Sequence, residues 1–292
     1  MANKPILIFD TSGINKLADD PDADGLIVAL RSGFYTRFTF TNILEIVANA
    51  CGERRRKLLG VCKRLLCSGD CMDPQKEIIR KLAARFEQSS PFEWRGVDVR
   101  FPDAEREIAR RDNFSDELAE KEREDARACK SVFNRIHDRA AFDALRAAGH
   151  DRAPSSVAEW VAQLQVEGGP FWTLARKLYK VVAEKPVDEP TIRRFVGACP
   201  PFHAWMIAYW AAQWNRCLRP HNVGPALNSG RNDVIMSACL PYCDQLVTGD
   251  SGQLECYREV VSICRLNVTV RWYGEFVGGL LLVGPQASSA AS

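Results

Sequence analysis

The sequence predicts an α/β protein whose central parallel sheet is built from both chain ends and is interrupted by a large, mostly helical insertion. Three observations carry this. Short apolar runs that lead into amphipathic helices occur near both termini. The stretch from about Asp73 to Leu218 is charged, helical in pattern and almost free of strand signals. The alternation of strand and helix at the two ends is what a parallel sheet covered by helices requires. The expected division is residues 1–70 and 226–292 for the α/β domain, with residues 71–225 as a helical insertion or cap.

The run from Pro5 to Phe9 is short, Ile-rich and unbroken, as expected of a strand buried on both faces. "DGLIVALRSG" reads as a helix stopped by Gly33, and "FYTRFTF" alternates as a second strand. Residues 41–66 have helical periodicity, in two pieces joined near Gly52. In the middle, residues 74–88, 103–111 and 115–149 are amphipathic helices, and Pro154, Gly168, Gly169, Pro170, Pro186, Pro190, Pro200 and Pro201 punctuate the later ones. Toward the C-terminus, "GRNDVIMSACLPYC" is a helix, "QLVTG" a strand, "DSGQLECYREVVS" a helix, "LNVTVRW" the last strand and "YGEFVGGLL" a closing helix.

Composition sets limits. With 292 residues, 46% of them hydrophobic, the chain can bury a large core; its net charge of +2 means that any electrostatic binding face is a local patch. Eleven cysteines lie at irregular intervals without zinc-site spacing, and Met1 to Lys4 run directly into the first strand with no leader pattern. Reduced thiols in a cytoplasmic protein are the expectation. No apolar stretch reaches the roughly 20 residues of a membrane span. Walker A, GxGxxG and GxSxG patterns are absent, and His137, His150, His203 and His221 are scattered, so none is assigned a role.

Four acids stand out. Asp10 ends the first strand, Glu45 lies in the first turn of the helix after the second, Asp233 opens a helix, and Asp250 ends the third strand. Ligands of open α/β sheets bind beyond the carboxyl ends of the strands, so these distant residues belong to one edge. Carboxylates gathered there repel one another unless a hard cation such as Mg²⁺ or Mn²⁺ compensates. Each acid also has a capping explanation: Asn42 and Glu45 have capping-box spacing, and Asp10, Asp233 and Asp250 suit helix starts. As a set they favour a metal site.

"ILIFDTSG", "TFTNILEIV", "RNDVIMSA" and "DQLVTGD" resemble, in order, the four acidic motifs of the PIN-domain nucleases. The resemblance covers roughly the first 66 residues and the last 60 or so. It implies a small α/β/α fold with a central parallel sheet, a divalent-metal site held by Asp10, Glu45, Asp233 and Asp250, and cleavage of single-stranded RNA. Thr11, Ser12 and Thr248 match its small polar positions. The chain departs from the pattern in its length and in having Ser251, Gly252 and Gln253 where many members carry a further Asp.

Arg54 and Arg55, in "GERRRKLLGVCKRLL", and Arg231, beside Asp233, are candidates for phosphate binding, with a solvated helix face as the alternative for each. Phe202, Trp205, Tyr209, Trp210 and Trp214 fall at helical spacing and are read as a packing stripe ahead of a base-stacking one. The expectation is a Mg²⁺- or Mn²⁺-dependent endoribonuclease. Two alternatives stay open: a catalytically weak RNA- or protein-binding module, and a haloacid-dehalogenase-type phosphatase, for which Ser12 and Leu254 stand where acids are needed. A protein partner such as an antitoxin, or a second copy of the chain, is left open.

Overall fold

Ile6–Phe9 forms β1, and its alternate side chains divide the molecule in two. Leu7 and Phe9 face one side of the sheet with Phe38, Cys71 and Val247, while Ile8 faces the other with Met72, Leu246 and Val270. A strand with apolar residues on both faces must be covered on both, which is why the run is continuous rather than alternating. The computed structural model describes residues 4–113, 115–136, 154–219 and 230–282.

The other strands are β2 (Tyr35–Thr39), β3 (Gly69–Met72), β4 (Gln245–Thr248) and β5 (Thr269–Trp272). All pairings are parallel and the order is β3-β2-β1-β4-β5. The protein is therefore α/β with a five-stranded parallel sheet drawn from both chain ends. Sequence order reverses between β1 and β4, and the crevice at their carboxyl ends is the expected ligand position.

Helices α1 (Thr11–Asp19), α2 (Ala23–Gly33), α3 (Phe40–Val47) and α4 (Gly52–Leu66) follow β1 and β2. They pack Ile14, Leu17, Leu30, Ile43 and Leu58 against the Leu7–Phe9 side. The two-piece reading of residues 41–66 is borne out, with the second piece starting at Gly52. The middle of the chain supplies α5 (Gln75–Gln88), α6 (Ala104–Asp112), α7 (Asp116–Ile136), α8 (Val157–Leu164), α9 (Pro170–Ala183), α10 (Glu189–Ala198) and α11 (Pro200–Cys217). Of the predicted helix 115–149, residues 137–149 lie outside the described residues. Ile78, Trp160, Phe171, Phe195 and Phe202 from these helices share one continuous core with Ile8 and Leu246. Much of the helical block thus forms the second layer over the sheet.

The chain closes with α12 (Arg231–Met236), α13 (Ser251–Cys264) and α14 (Tyr273–Leu282). The predicted helix 230–243 is α for only its first half; Ser237–Tyr242 tightens to a 3-10 turn containing Pro241, which has no N–H to continue α-type bonding.

Two elements were not read from the sequence. β3 is built on "GDCM", whose Gly and Asp are poor strand formers. Its pairing is secured from β2, where Arg37 donates two bonds of 2.6 Å to Asp70. α1 begins at Thr11, where Ser12 and Gly13 look like a break. The eleven cysteines form no disulfide. The aromatic stripe of α11 is packing: Phe202, Trp210 and Trp214 are buried in the core. Of the histidines, only His203 is described, and burial lowers its pKa. Among the described residues, no helix is long and apolar enough to cross a membrane.

Candidate active site

The first acid is fixed by the turn that joins β1 to α1. Asp10 caps α1, its Oδ1 accepting from Gly13 N (2.6 Å) and from the Ser12 hydroxyl (2.8 Å). The Thr248 hydroxyl at the end of β4 donates to Asp10 Oδ2 at 2.6 Å. Ser12 Oγ in turn accepts from Gly249 N (2.8 Å), which closes a ring between the carboxyl ends of the two central strands. Two glycines permit so close an approach. A Cβ on Gly13 would lie 2.8 Å from the Val247 carbonyl, and one on Gly249 would lie 2.8 Å from the Ser12 carbonyl.

The second acid comes from α3. Its capping box is formed by Thr39 and Asn42, not by Asn42 and Glu45 as the spacing suggests. Thr39 N donates to Asn42 Oδ1 (3.0 Å) and Asn42 N to Thr39 Oγ1 (3.2 Å). Glu45 is thereby released from helix capping. Its Oε2 accepts from the Thr11 hydroxyl and its Oε1 from Asn232 Nδ2 at 2.8 Å. Asn42 Nδ2 donates to Thr11 Oγ1 (3.1 Å), so the buried amide orients the hydroxyl that orients the acid.

Asp233 reaches back from the first turn of α12 to accept from Gly230 N (2.6 Å), and its other oxygen accepts from Gln253 Nε2 (2.5 Å). Asp250 caps α13 by accepting from Gly252 N (2.8 Å) and Gln253 N (3.1 Å). The capping roles read for Asp10 and Asp250 are therefore real. They coexist with a common location at the β1–β4 crevice.

The four acids are linked electrostatically through Asp233. Asp10 has its pKa pushed up to about 6, mainly by burial, with Glu45 adding to the rise. Asp233 is pushed up to about 7 by burial and by the negative charges of Glu45, Asp10 and Asp250. Tyr257 on α13 is driven well above its ordinary value by burial first, then by Asp233, Asp10 and Glu45. Among the described residues, no Lys or Arg forms an ion pair with any of the four acids.

These oxygens are of the kind a hard divalent cation takes, since all are carboxylate. Among the described residues, no three His, Cys, Asp or Glu stand ready as a metal-binding group.

Of the three arginines proposed for phosphate, the structure gives two other partners. Arg55 is buried, donating to Asp116 (2.8 Å) and to the Asn49 carbonyl (3.0 Å). Arg54 pairs with Asp19 and donates to Asn15 Oδ1 at 2.8 Å. Arg231 is exposed beside Asn232. Sequence reading missed Asn232 and Lys16, read Asn42 only as a cap and read Gln253 only as a departure from the family pattern. The exposed Lys16 side chain passes so near Gly249 that its Cγ would be 2.8 Å from an added Cβ.

No family model matches the chain, and neither the curated proteins nor the solved structures contain a match.

Proposed function

We propose that the protein is a PIN-like nuclease that hydrolyses phosphodiester bonds of single-stranded RNA with Mg²⁺ or Mn²⁺. The observation that supports the reading is that Asp233 feels the charges of Asp10, Glu45 and Asp250 near the β1–β4 crevice while, among the described residues, no Lys or Arg pairs with any of the four. Buried acids such as Asp10 and Asp233, whose pKa values are raised by desolvation and neighbouring charge, are candidates for a functional site. The resemblance of the four acidic motifs adds the substrate class.

Asp10, Asp233 and Asp250 would hold the ion, with Glu45 as a fourth ligand or as the acceptor that orients the attacking water. When bound, a divalent ion lowers the pKa of water and offsets charge on phosphate oxygens. The chain's own residues do the placing. Thr248 and Ser12 hold both oxygens of Asp10, and Gln253 and the Gly230 amide hold those of Asp233. Thr11 and Asn232 aim Glu45 from opposite oxygens, leaving it able to accept a proton from water in the crevice. Arg231 and Lys16 flank the acids as exposed cations for the scissile strand.

The test is incubation of purified protein with single-stranded RNA and Mn²⁺ beside the Asp10→Asn variant. The expected result is cleavage that EDTA abolishes and that the variant loses by at least about 100-fold. Equal, EDTA-insensitive cleavage, or none, overturns the reading. That no three His, Cys, Asp or Glu among the described residues form a metal-binding group favours one second reading, a binding module without catalysis. Calorimetric titration with Mn²⁺ separates the two, because a binding module gives no divalent-ion heat that Asp250→Asn removes.

A further inference from the structure

Helix α7 carries its charges in two blocks. Its first half holds Asp116, Glu117, Glu120, Glu122, Glu124 and Asp125; from Ala126 to Ile136 there is no acid. Arg127, Lys130, Ser131, Asn134 and Arg135 line an open groove of ≈ 460 Å³ along this second half. Positions 127, 130–131 and 134–135 lie on one helical face, and eight residues at the helical rise span about 12 Å. Arg127, Lys130 and Arg135 are exposed. Arg127 has a 3.1 Å ion pair with Glu120, an exposed contact that a phosphate can replace at small cost.

The position of α7 gives this face a purpose. The helix packs against α3, which carries Glu45, and against α12, which carries Asp233. Arg123 donates to the Asn49 carbonyl just beyond α3 (3.3 Å), and Arg216 of α11 donates to Asn134 Oδ1 (2.8 Å) near the other end of α7. The helix is thus tied to the two helices that carry Glu45 and Asp233 and, near its other end, to the last turn of α11, while Arg127, Lys130 and Arg135 are exposed.

We infer that the groove along Arg127, Lys130 and Arg135 binds the phosphate backbone of the single-stranded RNA whose continuation enters the acid site. This rests on the nuclease reading for its ligand. The acid cluster repels a polyanion, and a chain of net charge +2 has little long-range attraction to offset that, so a local row of cations outside the crevice must supply the affinity. A guanidinium–ammonium–guanidinium row holds phosphates without reading bases.

The experiment measures anisotropy of a labelled single-stranded RNA of mixed sequence, in EDTA so that no cleavage intervenes, across a salt series. Compared with wild type are the combined Arg127→Ala, Lys130→Ala, Arg135→Ala variant and a control with Lys76→Ala, Lys177→Ala, Lys180→Ala. The control removes equal charge from exposed lysines of α5 and α9. All substitutions are at exposed positions, and far-UV circular dichroism confirms folding. The α7 variant is expected to bind at least about tenfold more weakly, with the slope of log K against log salt reduced by about 2, while the control matches wild type. Equal affinity and slope in the α7 variant, or an equal loss in the control, overturns the inference. Cleavage in Mn²⁺ separates the two claims. Loss of binding in the α7 variant with no cleavage by any form sustains the groove and overturns the nuclease; cleavage by wild type with unaltered binding by the α7 variant does the reverse. No RNA binding by wild type overturns both.

Discussion

Two half-sheets of this protein each draw an acid largely out of water, and they treat it differently. On the β2–β3 side, Asp70 is met by a two-pronged Arg37 guanidinium at 2.6 Å, both side chains nearly out of water. On the β1–β4 side, Asp10 is only 3% exposed, yet it receives neutral donors alone from Gly13, Ser12 and Thr248. Neutral donors lower a carboxylate's pKa, but here burial wins and Asp10 rises to about 6. The fold therefore pairs a largely sheltered carboxylate on this sheet with a cation, and at the crevice no described Lys or Arg does so. That contrast separates an acid held by a cation from one held by neutral donors alone.

The comparison can be tested from its strongest side downward. Asp70→Ala leaves the Arg37 guanidinium without its carboxylate partner; a loss of about 3–5 kcal/mol in urea unfolding is expected. A loss below about 1 kcal/mol would mean that the pair is effectively solvated.

On the other half-sheet the sign reverses. Because Asp10 has a folded pKa above its unfolded one, ionising it costs the native state. The cost is full above about pH 7, fades as the folded protein takes up its proton near pH 6, and vanishes near pH 4. Asp10→Asn should accordingly stabilise the metal-free protein by about 2–3 kcal/mol at pH 8 and by almost nothing at pH 4. Destabilisation at pH 8 would make Asp10 a structural residue like Asp70.

Mn²⁺ at about 100 times its Kd should stabilise the wild type by about 2.7 kcal/mol, read as a rise in Tm, and should leave Asp250→Asn unmoved. Its affinity should weaken as pH falls through 7 and 6, where protons compete for Asp233 and Asp10. The smallest effect concerns Tyr257, whose buried hydroxyl has no hydrogen-bond partner among the described residues. Tyr257→Phe should change stability by less than about 1 kcal/mol. A loss above about 2 kcal/mol would show that the hydroxyl is bonded into the acid cluster.

How much could be read in advance differed by residue. Asp10 and Asp250 were legible because each follows an apolar run at the carboxyl end of a strand, a place defined by local pattern and the general rule for α/β sheets. Glu45 was legible as a candidate, but its release from capping depends on Thr39 taking the Asn42 partner, which spacing does not distinguish. Asn232 carried no signal, and Gln253 none for its bond to Asp233: a neutral amide on a helix is ordinary until the acid it serves is folded against it. Arg54 and Arg55 looked like free cations in sequence, and Asp19 and Asp116 claimed them.

The chain by itself determined where strands and helices alternate and which acids end them, since these follow from apolar periodicity and backbone preference within a few residues. Only the folded molecule decided that "GDCM" is a strand, that the central helices cover one face of the sheet, and which charges are paired. Those outcomes depend on groups far apart in sequence: Arg37 must lie across from Asp70, and Ile8 must meet the helices of the middle segment. Contacts of that kind have no local signature, because their energy exists only after the chain has closed.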